Sequence, residues 1–88
     1  MKIRRHHKLG LVEARNRADR IAAYLAKQYS LTSTWEGDHL NVRGNGVQGR
    51  LSVGHDSIEL EVKLGFALRL MEGPIRTAIE STIDEQLA

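Results

Sequence analysis

A chain of 88 residues, 41% hydrophobic and 27% charged, with net charge +2, can bury one modest core and has no length for a second domain. With no Cys it can form no disulfide, thiolate nucleophile, Cys-ligated zinc or iron–sulfur cluster. No apolar run reaches the roughly 18 residues of a bilayer span, and the basic start leads into a polar stretch rather than a signal core, so residues 1–88 are expected to be one soluble, cytoplasmic domain.

Lys2 to Leu9 alternates, with Ile3, Arg5, His7 and Leu9 on one side and Lys2, Arg4, His6 and Lys8 on the other. Charge on both faces suits an edge strand. From Leu11 to about Ser30 the apolar residues Ala14, Ala18, Ile21, Leu25 and Tyr29 recur at steps of three and four, opposite Glu13, Asn16, Arg17, Arg20 and Lys27. This is an amphipathic helix, and its Ala-rich stripe allows close approach to a sheet.

Between residues 31 and 64 the period becomes two, and glycine turns divide four predicted strands. Gly37-Asp38, Gly44-Asn45-Gly46 and Gly54-His55-Asp56 separate runs in which Leu40 and Val42, then Val47, Gly49, Leu51 and Val53, then Ile58, Leu60, Val62 and Leu64 share one side. One-sided alternation of this kind predicts an antiparallel meander with one buried and one wet face. Gly49, in mid-strand on the buried side, predicts a bulge or the close approach of a helix. Gly65 to Glu72 is an apolar segment, Gly73-Pro74 interrupts it, and Pro74 reads as the first position of a helix whose Ile75, Ala78, Ile79, Ile83 and Leu87 form one face. The expected fold is α+β: strand, helix, four-strand antiparallel meander, helix, in a two-layer sandwich with both helices on one face of the sheet.

Catalytic patterns are wanting, and no catalytic, cofactor-binding or metal-ligating residue is assigned. Adjacent His6 and His7 point to opposite faces of a strand, and His39 and His55 lack ligand spacing, so the histidines read as solvated or half-buried side chains. No serine stands in a GxSxG elbow, and Glu59 and Glu61 are what any wet strand face presents. Gly44 to Gly49 matches GxGxxG but opens no helix that could receive a phosphate.

Two features exceed what folding requires. The first is a charge asymmetry. Residues 1–27 carry eight basic and two acidic groups, +6, whereas residues 28–88 carry five basic and nine acidic groups, −4. The basic half either faces an anionic partner, with Arg4, Arg5, Arg15 and Arg17 as contacts, or folds against the acidic half of its own or a second chain. The second is the apolar segment holding Phe66, Leu68, Leu70 and Met71, which serves as core, dimer seam or binding surface. Trp35, beside a hairpin tip, either anchors a partner or packs at the core rim.

The basic start with His7 and Leu9-Gly10, Glu13-Ala14-Arg15, Trp35 with Gly37-Asp38, Gly46-Val47 with Gly49-Arg50-Leu51, Leu64-Gly65, and Ile75 with Ile79 follow one another in an order and spacing that carry a resemblance over nearly the whole chain. Taken together, they resemble the polyhydroxyalkanoic acid system family, small bacterial proteins encoded near polyhydroxyalkanoate granule genes. The resemblance implies a setting in cytoplasmic polyester storage and supplies no catalytic motif. The expected role is that of a non-enzymatic accessory protein without a cofactor, with a granule, a granule-associated protein or a second copy of the chain as partner. Two alternatives stay open: a nucleic-acid-binding regulator using the basic strand and helix, and a small apolar-ligand module analogous to helix-grip folds, in which a curved sheet wraps a C-terminal helix.

Overall fold

The computed structural model describes all 88 residues. Strand β1 (Lys2–His6) precedes helix α1 (Gly10–Tyr29). Strands β2 (Thr32–Glu36), β3 (His39–Gly44), β4 (Val47–Val53) and β5 (Ser57–Leu64) follow, and a short 3-10 helix (Phe66–Met71) leads into helix α2 (Glu72–Leu87). The sheet is antiparallel throughout, in the order β1-β5-β4-β3-β2. The meander and the α+β class are as expected. Strand β1 lies at an edge and pairs with β5, placing Lys2 opposite Glu61 and Arg4 opposite Glu59.

The alternation puts Ile3, Leu40, Val42, Leu51, Val53, Ile58, Leu60 and Val62 in the core with Ala14, Ala18, Ile21, Ala22 and Leu25 of α1 and Ile75, Ile79 and Ile83 of α2. Both helices cover this one face. Ala14 and Ala18 are wholly buried, which lets α1 lie close against its neighbours.

Turn chemistry fixes the register. Asn45 (φ 48°) and Gly46 (φ 80°) form a two-residue loop with both angles positive, as a primed hairpin turn requires. Asn45 also caps α1, its side-chain amide donating to the carbonyls of Tyr29 (3.1 Å) and Ser30 (3.4 Å). Ser30 ends the helix in the left-handed region (φ 56°), and the N–H of Leu31 donates to the Ala26 carbonyl at 3.0 Å.

Three local expectations are corrected. Gly49 marks neither a bulge nor a helix contact. Its register with Val42 and Val62 is unbroken, and a Cβ there would sit 2.8 Å from a Val42 methyl, so the glycine makes room for a neighbouring strand's valine. Strand β1 ends at His6 and does not run on to Leu9: His7 is buried on the Ile3 side, as its alternation predicts, and there its Nδ1 accepts from the Leu9 N–H (3.1 Å), which turns the chain toward α1, while its Nε2 lies 3.2 Å from the Gly54 carbonyl. Helix α2 begins at Glu72, so Pro74 stands third in it, still inside the first turn where a missing N–H breaks no intrahelical bond.

Candidate apolar site

The 3-10 helix is tied to the β3–β4 turn by the Gly65 N–H, which donates to the Gly46 carbonyl at 2.6 Å. With three residues per turn, side chains three apart eclipse and only one of three rows can face inward. Leu68 and Met71 form the inward row. The other two rows leave Phe66 and Leu70 outside, 87% and 95% exposed, and Met71 at the rim is 53% exposed. Of the four apolar contacts expected from the sequence, Phe66, Leu70 and Met71 therefore make one exposed apolar knuckle, and Leu68 is half-buried beneath it.

Under the knuckle the two layers do not close. A cavity of about 180 Å³ lies between the C-terminal end of α1 (Leu25, Tyr29), the first turns of α2 (Ile75, Ile79), strands β3 to β5, and the lid made by Leu68 and Met71. All 11 lining residues are hydrophobic. The helices run antiparallel, since the Arg17 guanidinium donates to the Gln86 carbonyl at the opposite end of the pair. The gap thus sits where the end of α1 meets the start of α2. Nothing in the sequence distinguishes these lining residues from ordinary core. Their helical and strand periods predict burial, not the space left between them.

Four of the eight basic residues in 1–27, Lys2, Arg5, Arg15 and Arg17, are paired within the chain. Arg5 donates from Nε to Asp84 and from a terminal nitrogen to Glu80, both at 2.8 Å, joining the edge strand to α2. The hydrogen bond to Asp84, then that to Glu80, raises the Arg5 guanidinium above its ordinary range. Conversely, Arg5 first and Arg76 second hold the Glu80 carboxyl below the usual carboxylate range. Arg15 donates to Asp38 Oδ1 (2.8 Å) and the Gly37 carbonyl (2.9 Å), and its guanidinium carbon lies 4.0 Å from the centre of the Trp35 ring. Trp35 Nε1–H donates to Asp19 at 2.7 Å, so the indole is clamped between α1 and the β2–β3 hairpin. Arg17 pairs with Glu13 at 2.9 Å, and Arg17 with Asn16 depresses the Glu13 carboxyl. Lys2 spans Glu59 and Glu61 at 3.6 and 3.5 Å. Of the four candidate arginines, Arg4 alone lies fully exposed, on the polar outer face of the sheet, where it stands opposite Glu59. Lys2, Arg5 and Arg15 thus pair across the two halves, Arg17 pairs with Glu13 inside the basic half, and Arg4, Lys8, Arg20 and Lys27 make no ion pair.

The other polar candidates do not converge. His6 is exposed, His39 Nδ1 lies 2.9 Å from Ser52 Oγ, and His55 sits exposed in the β4–β5 turn. Chemically, the arrangement offers two things: an exposed apolar knuckle and an apolar interior space beneath it whose lining holds no acid, base or nucleophile. No helix is long and apolar enough to cross a membrane.

A family model described as polyhydroxyalkanoic acid system protein matches residues 1–87. Among curated proteins and solved structures, nothing matches the chain.

Proposed function

This chain belongs to the polyhydroxyalkanoic acid system protein family, and from that premise we propose that it is a non-enzymatic accessory protein seated on the surface of a polyester granule. The observation that carries the reading is the knuckle. Phe66 and Leu70 are 87% and 95% exposed beside Met71 on one six-residue 3-10 helix, although 17 other hydrophobic residues are gathered into the core. A polyester surface is aliphatic and weakly polar, and three projecting side chains can enter it without unfolding the domain. Full burial of such a side chain stabilises by roughly 1.5–3 kcal/mol, so half-burial of three contributes about 2–4 kcal/mol, enough for reversible adsorption. Multiple copies on one particle strengthen the attachment further.

The internal pairing of Arg5, Arg15 and Arg17 supports this over nucleic-acid binding, because phosphate contact would require breaking pairs already made. The setting implied is the cytoplasm of a polyester-storing cell. Fractionation of polyester-producing cells tests the reading: wild-type protein is expected with the granules and a folded Phe66→Asp variant in the soluble fraction. Wild-type protein wholly in the soluble fraction overturns granule binding. A second copy or a granule-associated protein as the true occupant would appear as a Phe66-dependent dimer in solution or as binding only to granules that retain their protein coat.

A further inference from the structure

The cavity beneath the knuckle calls for an occupant. It measures about 180 Å³ and contains no polar lining. An apolar cavity of about 150 Å³ stays dry and accepts benzene, because water would lose its hydrogen bonds there while a hydrocarbon gains contacts on every side. The lining residues Leu25, Leu31, Leu60, Val62 and Ile75 are buried, whereas Met71 is more than half exposed and Tyr29, Val47 and Leu68 are half-buried. The opening therefore lies at the Met71 and Leu68 rim, beside Phe66 and Leu70. A ligand entering there would place its apolar end against Leu60 and Val62 and leave a polar end at the rim.

We propose that this cavity binds a hydrocarbon chain of about six carbons, end first, with Leu68 and Met71 as its gate. The space is too small for a long-chain lipid and, lacking any polar group, discriminates by length alone. Two sources present such a chain: a free medium-chain acyl group, or an alkyl side chain projecting from a polyester. The proposal goes beyond granule seating, since it concerns the interior, and the two share only Met71 at the rim.

The experiment is a methyl-resolved NMR titration of the intact protein with 1-alkanols from ethanol to decanol. Affinity is expected to rise about fourfold per methylene up to about hexanol and then level off, with saturable shifts at Leu60, Val62 and Ile75. Val62→Ile narrows the cavity and is expected to move the levelling point down by about one carbon. Leu68→Ala widens the gate and moves it up. Alkanols that never shift these methyls, an affinity that climbs through decanol without a break, or a levelling point unmoved in both folded variants would each overturn the proposal. Octanoate distinguishes the free acyl source. Particles of polyester with pentyl side chains, compared with methyl-bearing ones, distinguish the polymer source. Silence with both would overturn the assignment to an acyl or polyester chain. Phe66→Asp separates this from the adsorption reading, because it is expected to abolish particle adsorption and leave hexanol binding unchanged.

Discussion

Replacing Gly44 with alanine is expected to cost far more than replacing any glycine in an open turn, and the geometry says why. Gly44 has φ 149°, a value open essentially to glycine only, and a Cβ built there would lie 2.9 Å from the Ser30 carbonyl oxygen and 3.4 Å from Leu31 Cα. Neither neighbour can rotate away, because both are backbone at the junction that ends α1. Strain of about 1–3 kcal/mol from the dihedral adds to about 1–3 kcal/mol from forcing the junction apart. A loss of about 2–6 kcal/mol is a large share of the roughly 4–13 kcal/mol expected for 88 residues. At about 4–8 °C per kcal/mol, the melting temperature should fall by roughly 10–50 °C. Two controls calibrate the measurement. Gly37 (φ 62°) has no atom within 4 Å of its would-be Cβ, so Gly37→Ala should cost about 1 kcal/mol for the left-handed conformation alone. Gly73 lies in the first turn of α2 directly before Pro74, whose ring crowds a Cβ in the helical conformation, so the usual helical gain is offset and Gly73→Ala should change stability by less than about 1 kcal/mol. Thermal unfolding of the three variants followed by circular dichroism reads the series. A Gly44→Ala variant no less stable than Gly37→Ala would refute the close-approach reasoning.

Asn45→Ala removes both a side chain tolerant of positive φ and the amide that caps α1, and should destabilise by about 1–2 kcal/mol in denaturant titration, with Asn45→Gly recovering part of the loss. Acid should loosen the tie between β1 and α2. Because the Glu80 and Glu13 carboxyls lie below their ordinary range when folded, the stability they contribute is complete above the unfolded carboxyl value of about 4.3 and is lost as pH falls through the depressed values. Glu80→Gln should therefore flatten the acid limb of a stability-against-pH curve below about pH 4.3, and an unchanged limb would contradict the role given to Arg5. On heparin the chain should elute at low salt, and an Arg15→Ala, Arg17→Ala double variant should elute no earlier. Tight, steeply salt-dependent retention lost in that variant would revive the nucleic-acid reading.

How much of this was legible in the sequence differs from element to element. The meander was readable because the two-residue period of Val47 to Leu64 and the turn glycines point to the same strands, and local preference agrees with the global fold. The edge position of β1 follows from its charge on both faces; its partner β5 does not, since pairing more than 50 residues away leaves no local signal. Gly49 was misread because sequence reports that a side chain is missing, not which neighbour needs the space. Pro74 stands two residues further into its helix than the sequence predicts, because proline is tolerated throughout the first turn.

The candidate site divides along the same line. The unusual composition of residues 66–71 was visible, and the outward rows of Phe66 and Leu70 follow from a 3-10 period that the sequence does not reveal. The charge asymmetry is visible as a sum, while the pairs that offset part of it, Arg5 with Glu80 and Asp84 above all, depend on tertiary placement. The cavity was not visible at all. Each lining residue is apolar and falls on an inward face, and only the fit of α1 against α2 decides whether the space between them is filled.

The absence of cysteine allows the seating of the knuckle to be measured directly. A Leu70→Cys variant carrying an environment-sensitive fluorophore places the probe at the most exposed apolar position, and a labelled His55→Cys variant places it in the β4–β5 turn, at the opposite end of β4 from the β3–β4 turn that anchors the knuckle. With polyester particles added, emission is expected to shift to the blue for the label at position 70 and to stay unchanged for the label at position 55. No shift at position 70, or equal shifts at both positions, would contradict the seating of this protein on a granule through Phe66, Leu70 and Met71.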